Sequence, residues 1–168
     1  QTTEKYFYVI GSSYGAPNTT VTVTGGSDYS LANAAITLPF FSYAENPQGF
    51  PDWFNWAPTL VGFSADPTNA VYRFRASGRM CFVEARQGTA GTSNATNFTI
   101  SLPIVAITIA NVGWWGNPGF YVDNGVTKTG GAVGISSGNT VASCYTADLG
   151  TWTASGNKRI AFLIGYEF

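Results

Sequence analysis

The sequence contains no histidine. This absence excludes Ser-His-Asp and Cys-His nucleophilic sites, histidine-ligated metal sites and the commonest general base near neutral pH. A phosphate-binding loop is also missing, because the glycine-rich stretch 113–119 lacks the lysine and the following helix that such a loop needs. We therefore expect no enzymatic activity, no cofactor and no bound metal.

Paired carboxylates are the remaining catalytic alternative, since glycoside hydrolysis needs only an acid and a base or nucleophile. Asp52 and Asp123 are the least unsuitable pair among the nine acidic residues, because aromatic residues surround both of them. No motif pairs any two of the acids, and most of the aspartates occupy stretches where Asp commonly serves as a turn residue. The sequence favours a binding protein over an enzyme.

Charge is scarce as well, at 10% of residues against about 25% in ordinary soluble domains. The net charge of -1 gives no attraction to phosphate backbones, so we expect no nucleic-acid partner. No apolar run reaches the ~20 residues of a membrane-spanning helix, so we expect no membrane insertion. Neutral, hydrogen-bonding surfaces suit extracellular β proteins. Because the chain begins with Gln1, we expect a piece of a longer protein or a processed form.

Cysteine is limited to Cys81 and Cys144, which are too few for a disulfide scaffold or a four-ligand zinc site. Both lie in strand-like stretches. We expect two buried free thiols, since free cysteine packs as a small hydrophobic residue. One disulfide between them is the alternative.

What the sequence does contain is the period-2 alternation of half-buried antiparallel strands. Glycine (20) and proline (8) interrupt it every few residues, and no segment indicates a helix. The predicted strands are 5–10, 20–24, 35–41, 59–64, 71–76, 79–86, 97–102, 104–110, 119–123, 140–145 and 158–166. So many short strands with tight turns predict an all-β fold, an antiparallel β-sandwich resembling a jelly roll.

The composition changes near residues 43–52, where Pro47, Gly49 and Pro51 interrupt any strand. This change indicates a domain boundary. Residues 1–45 would form a strand-rich N-terminal collar or linker, and residues 46–168 the main sandwich. The alternative is that the first strands join the same sheets.

Aromatic residues make up 15% of the chain and cluster in turn-rich stretches. Sugar rings expose apolar C–H faces that stack on aromatic rings, while their hydroxyl groups need polar partners nearby. This mixture predicts a saccharide-binding surface. Its candidate residues are Trp114, Trp115, Asn117, Tyr121, Asp123, Trp53 and Asp52.

The alternative is structural, because aromatic side chains also fill sandwich ends and subunit interfaces. We expect Trp56 and Trp152 in particular to be structural. Adjacent residues of a strand point to opposite faces, so Trp114 and Trp115 do not both face the core. At least one of the pair is therefore expected to meet solvent, ligand or a partner.

Four stretches follow one another in a characteristic order and spacing: WAPTL at 56–60, YRFRASGRMCFV at 72–83, NFTISLP at 97–103, and the terminal hairpin WTASGNKRI at 152–160 with GYEF at 165–168. In this order and spacing they resemble the C-terminal head modules of bacteriophage tail fibres and receptor-binding proteins. The resembling region runs from Trp56 to the C-terminus, about two thirds of the chain, and nothing in residues 1–45 matches.

This resemblance implies a viral tail-tip protein that assembles as a parallel homotrimer and attaches to host-cell polysaccharide or glycan outside the cell. It implies contacts with other tail proteins of the virion, and it transfers no binding residues. A carbohydrate-binding module or lectin of a secreted bacterial protein is one alternative. A purely structural virion fibre domain is another.

Overall fold

The computed structural model describes residues 4–44, 47–110 and 112–168. Within these ranges the protein is all-β, with fifteen strands, one short 3-10 turn (Ala147–Leu149) and no α-helix. The strands are β1 (Tyr8–Gly15), β2 (Asn18–Thr24), β3 (Phe54–Asn55), β4 (Leu60–Val61), β5 (Phe63–Ala65), β6 (Thr68–Ser77), β7 (Met80–Thr89), β8 (Gly91–Ser93), β9 (Thr99–Ser101), β10 (Gly113–Gly116), β11 (Phe120–Asp123), β12 (Val126–Lys128), β13 (Ala132–Ser136), β14 (Val141–Tyr145) and β15 (Asn157–Glu167).

The strands form three sheets, and every pairing is antiparallel. One sheet has five strands in the order β10-β13-β14-β9-β4. The largest has eight, with β12-β11-β15-β7-β6-β3 as its main path and β5 and β8 attached beside β15. Strands β1 and β2 form a separate two-stranded ribbon. The predicted all-β, antiparallel class is confirmed.

One hydrophobic cluster joins the two larger sheets. It includes Val133 and Ile135 from the five-stranded sheet, and Val83, Ile160 and Ile164 from the eight-stranded sheet, all at most 4% exposed. Burial alternates along β15 with the period of two that a strand with one face inward requires. Two sheets that share one core in this way are consistent with the predicted β-sandwich.

The turns follow glycine and asparagine as expected. Asn124 and Gly125 have φ angles of 49° and 76° and connect β11 to β12. Two consecutive positive φ angles give the backbone twist that a two-residue hairpin needs, and Asn-Gly adopts them at low cost. The β6–β7 hairpin has a positive φ only at its first turn residue, Gly78 (57°), which is the position where the other common hairpin turn requires glycine.

Two predicted strands are absent. Residues 35–41 and 104–110 contain no strand, although the first is largely apolar and the second is rich in β-branched residues. The backbone N–H of Ile107 donates to the carbonyl of Glu167, and that of Ala106 donates to the carbonyl of Asn139. These bonds go to single residues of β15 and a loop, so 104–110 lies beside the sheets without joining a ladder.

The N-terminal part of the chain is largely exposed. Tyr6, Tyr8 and Tyr29 pack edge-on or tilted against Phe50 or Phe54. Beyond this contact, residues 30–44 form an uncharged segment without strands, in which six apolar side chains are exposed. They are Leu31, Ile36, Leu38, Phe40, Phe41 and Tyr43. The boundary predicted between residues 45 and 46 lies outside the described residues and stays a prediction.

Both cysteines are buried free thiols, as predicted. Trp56 and Trp152 are buried, and their indole N–H groups donate to the carbonyls of Ser101 and Cys144. Their predicted structural role is confirmed. In the described ranges, no helix is long and apolar enough to cross a bilayer.

Candidate functional site

The outer face of the five-stranded sheet presents one large aromatic ring to solvent. Strand β10 is the edge strand, and Trp115 lies directly opposite Gly134 of β13. Gly134 in turn lies opposite Ser143 of β14, and Ser143 opposite Thr99 of β9. Opposed residues of antiparallel strands share a face, so these four residues form one row across the sheet. We call this outer face the Trp115 surface.

Trp115 is 61% exposed, and its six-membered ring lies over Gly134. A Cβ atom added to Gly134 would lie 2.8 Å from that ring, so the glycine provides the space into which the indole packs. Tyr145 of β14 lies beside it, with ring centroids 6.0 Å apart and ring planes inclined by 32°. The indole is therefore supported from below and from one side while much of its surface faces solvent.

None of the five strands beneath the Trp115 surface contains a charged residue. Hydroxyl groups accompany the rings instead. Ser143 and Thr99 lie in the row of Trp115, and Ser101 and Ser136 lie in rows beside it. A neutral surface with one exposed indole, a second ring and several hydroxyl groups suits a ligand with apolar faces and hydroxyl edges, as a sugar has.

Trp114 points the other way. Its side chain is half-buried and packs edge-on against Tyr166, with ring centroids 6.3 Å apart. The expectation that the two adjacent tryptophans face opposite sides is confirmed. Of this pair, Trp115 meets solvent and Trp114 contributes to the interior.

Asn117 is exposed just after β10. With its amide oriented to satisfy its hydrogen bonds, the side-chain nitrogen lies 3.0 Å from the carbonyl oxygen of Gly131. Asn117 therefore helps to connect β10 to the segment that precedes β13. It lies two residues after Trp115, beyond the end of β10.

Tyr121 and Asp123 lie in the interior, at 1% and 4% exposure. The Tyr121 hydroxyl accepts a hydrogen bond from the backbone N–H of Ala147. The Asp123 carboxylate accepts bonds from the backbone N–H and the hydroxyl of Thr153, at 2.9 and 3.0 Å. Their polar groups are occupied by the loop before β15, so we place both residues outside the candidate site.

Asp52 and Trp53 lie on the other sheet. The guanidinium carbons of Arg73 and Arg75 are 4.8 and 5.2 Å from the Trp53 ring centroid. Asp52 is exposed and shares a shallow cavity with Arg75 and other residues. The seven predicted site residues therefore divide among two outer faces and the interior.

This placement separates the two acids that the hydrolytic alternative would pair. Phe82, which lines the cavity with Asp52, lies opposite Gly165 of β15, whereas Asp123 lies opposite Lys158. Lys158 and Gly165 are seven residues apart along β15, a distance of about 23 Å. Glycoside hydrolases need their two carboxyl groups within roughly 5–9.5 Å of each other. Asp52 and Asp123 are not brought together.

The face around Trp53 carries a concentration of cations. Arg73, Arg86 and Glu84 meet on its surface, where both guanidinium groups form ion pairs with the one carboxylate. Burial alone would raise the pKa of Glu84, but the two arginines outweigh it and hold that pKa below its usual value. Glu84 is therefore ionised at neutral pH and neutralises only one of its two partners.

Neither a protein-family model, a curated protein nor a solved structure matches this chain. The site residues are therefore defined by their geometry. Sequence reasoning missed Gly134, Tyr145 and Arg75. Tyr145 and Arg75 each occupy an outward position of an alternating strand, which is a signal that the sequence contains, but their proximity to a tryptophan depends on strand order.

Proposed function

We propose that this chain is a viral, bacteriophage-type tail receptor-binding domain, which attaches to a host cell-surface saccharide without catalysis. The observation that carries the proposal is the Trp115 surface: a supported, largely exposed indole on a sheet face whose strands have no charge. The viral, tail-tip part of the proposal rests on the resemblance of residues 56–168 to tail-fibre heads.

Binding follows from the chemistry of the two partners. The apolar C–H face of a sugar ring stacks on the indole of Trp115, and its hydroxyl groups exchange hydrogen bonds with Ser143, Thr99 and the Asn117 amide oxygen. A few such contacts give roughly millimolar to micromolar affinity. Several copies on one particle raise the avidity by about 10²–10⁴, so a flat surface suffices for attachment.

The proposal includes a jelly-roll-like sandwich that assembles as a parallel homotrimer at the virion tail tip, in contact with other tail proteins. The exposed apolar segment 30–44 supports an assembly, because monomeric domains rarely leave large contiguous apolar patches in water. A lectin or carbohydrate-binding module of a secreted bacterial protein would use the same surface as a single copy.

Replacing Trp115 with Ala tests the proposal. We expect the W115A variant to lose adhesion to host cells and glycan-array binding by at least tenfold, with a thermal transition close to that of the parent. W114A is the matched control, since it removes the same side chain from the inner face. It should lower the free energy of unfolding by about 2–4 kcal/mol and retain binding while folded.

Retention of full binding by W115A would contradict the proposed site. If the parent protein binds no glycan and does not block infection, the structural fibre role replaces the proposed function. Release of reducing sugar by the isolated chain would replace it with an enzyme.

A further inference from the structure

Arg75 of β6 lies between two aromatic rings on the outer face of the eight-stranded sheet. Its guanidinium carbon is 5.2 Å from the ring centroid of Trp53 and 5.2 Å from that of Phe82. Stacking on two rings restricts the orientation of a guanidinium plane and leaves its N–H edge available. Arg75 is thus held in place by contacts that do not use its hydrogen-bond donors.

A shallow cavity of about 210 Å³ opens beside this side chain. Pockets for whole drug-sized ligands are usually about 300–1,000 Å³, so this one suits a single sugar unit or a substituent. Its wall combines charged and hydroxyl groups with two aromatic rings. The lining residues are Tyr8, Asp52, Arg75, Ala76, Ser77 and Phe82.

The charge around the cavity is unbalanced. Glu84 is shared by Arg73 and Arg86, as described above. Across the described parts of the chain, no carboxylate forms a salt bridge with Arg75. Among the described residues of the wall, Arg75 and Asp52 are the two charged residues, and beside the cavity Arg73 and Arg86 exceed the charge of Glu84 by one. A fixed, unpaired guanidinium in a polar cavity recognises carboxylate or phosphate through paired, charge-assisted hydrogen bonds.

We infer that this cavity is a second ligand site, which binds an anionic substituent of the host saccharide through the Arg75 guanidinium. The anion accepts two N–H bonds from Arg75, and the hydroxyl groups of Tyr8 and Ser77 serve the adjoining sugar atoms. That the ligand is a saccharide rests on the proposed function. The anionic specificity rests on the cavity alone, and the site is on the opposite sheet from Trp115.

Calorimetric titration tests this site with three probes: an oligogalacturonate for carboxylate, a hexose 6-phosphate for phosphate, and a neutral hexose oligomer. We expect at least one anionic probe to bind at least tenfold more tightly than the neutral oligomer, with an affinity that falls as salt is added. Comparison of the two anions identifies which group the cavity prefers. Equal binding of all three probes would overturn the inference.

Variants locate the binding. R75Q should weaken the affinity for the preferred anion by at least tenfold. R75K keeps the charge but loses the planar fork, so it should also bind more weakly than the parent. R79Q is the matched control, since it removes the same charge from an exposed residue that does not line the cavity. R79Q should bind as the parent does.

Anion binding that is unchanged in both Arg75 variants, or lost equally in R79Q, would overturn the site. W115A separates this inference from the proposed function, because it should reduce binding of the neutral oligomer and leave the anion affinity unchanged. Neutral binding without anion binding refutes the cavity alone. If no probe binds, both proposals fail.

Discussion

At the scale of single residues, the interior contains a cation where a hydrophobic residue would be expected. Lys158 is fully buried, and its ammonium group donates to the carbonyls of Ala95 and Asn97, each at 2.9 Å. Its nitrogen is 5.0 Å from the Phe63 ring centroid. Burial lowers the pKa of Lys158, and the charge of Asp123 opposes that shift. Carbonyls, a ring and a carboxylate together replace the water that the ammonium group loses.

The two thiols give a prediction at the same scale. Burial raises the pKa of Cys81 to about 12 and raises that of Cys144 as well. Only the thiolate attacks disulfide reagents, so both thiols remain protonated at pH 8. We expect no reaction with a thiol-exchange reagent in the folded protein and two thiols per chain after unfolding in guanidinium. Rapid release of one equivalent from the folded protein would contradict this burial.

At the scale of elements, β11 holds the loop that leads to β15. Tyr121 and Asp123 both lie on its inner face, and each forms a hydrogen bond with the segment 146–153. Asp123 also lies 3.5 Å from the ammonium group of Lys128 on the neighbouring strand β12. The four-residue strand β11 is thereby connected to this loop and to the strands β12 and β15.

Replacing Asp123 with Ala therefore destabilises the fold. The change leaves the N–H and hydroxyl of Thr153 without their acceptor, and we expect the free energy of unfolding to fall by about 2–3 kcal/mol in urea titrations. D66A is the control, because Asp66 is exposed, and its effect should stay within about 0.5 kcal/mol. Equal effects of the two substitutions would show that the Asp123 bonds contribute little.

Local elements were predictable from the sequence wherever local chemistry decides them. The alternation of Phe74 with Arg73 and Arg75 matches the inner and outer faces of β6, and Asn124-Gly125 is typical of the two-residue hairpin that is observed there. Residues 104–110 have the same propensity as a strand. They lack a ladder because their N–H groups meet loops and the end of β15, and pairing of that kind is set by the whole fold.

In the candidate site, too, local sequence predicts some features, and the order of the strands determines the others. Period-2 geometry placed Trp114 and Trp115 on opposite faces, as observed. The contacts of Trp115 with Gly134 and Tyr145 cross from β10 to β13 and β14, and the position of Arg75 between two rings joins β6 to β7 and to the segment before β3. Strand order determines such neighbours, and no spacing in the sequence encodes it.

At the scale of the whole molecule, the exposed segment 30–44 is the largest departure from an ordinary monomer. Phe40 and Tyr43 are 91% and 96% exposed, although an aromatic side chain buries 150–250 Å² when it packs. The ribbon of β1 and β2 is similarly uncovered, and a two-stranded ribbon is at most marginally stable alone. Contact with neighbouring copies of the chain would bury both the segment and the ribbon.

We expect sedimentation equilibrium at micromolar concentration to give a mass of three chains of 17.8 kDa. Replacing Phe40 and Phe41 with Ser removes apolar surface from the segment and should shift the mass toward one chain. W115A is the control, because it changes an exposed ring on the outer face of the sandwich, and it should keep the parent mass. A monodisperse monomer of the parent protein would contradict the assembly.

The position of β15 in the eight-stranded sheet has a consequence for how the chain reaches its native state. This strand pairs with β7 on one side, although β8 to β14 all lie between the two in sequence. Folding through such distant pairings must first overcome the entropy of closing a long loop and proceeds in milliseconds to seconds. Until β15 docks, the largest sheet has an open gap at its centre. During that interval the unpaired edges of β7 and β11 are open to pairing with other chains, so aggregation competes with folding until β15 is in place.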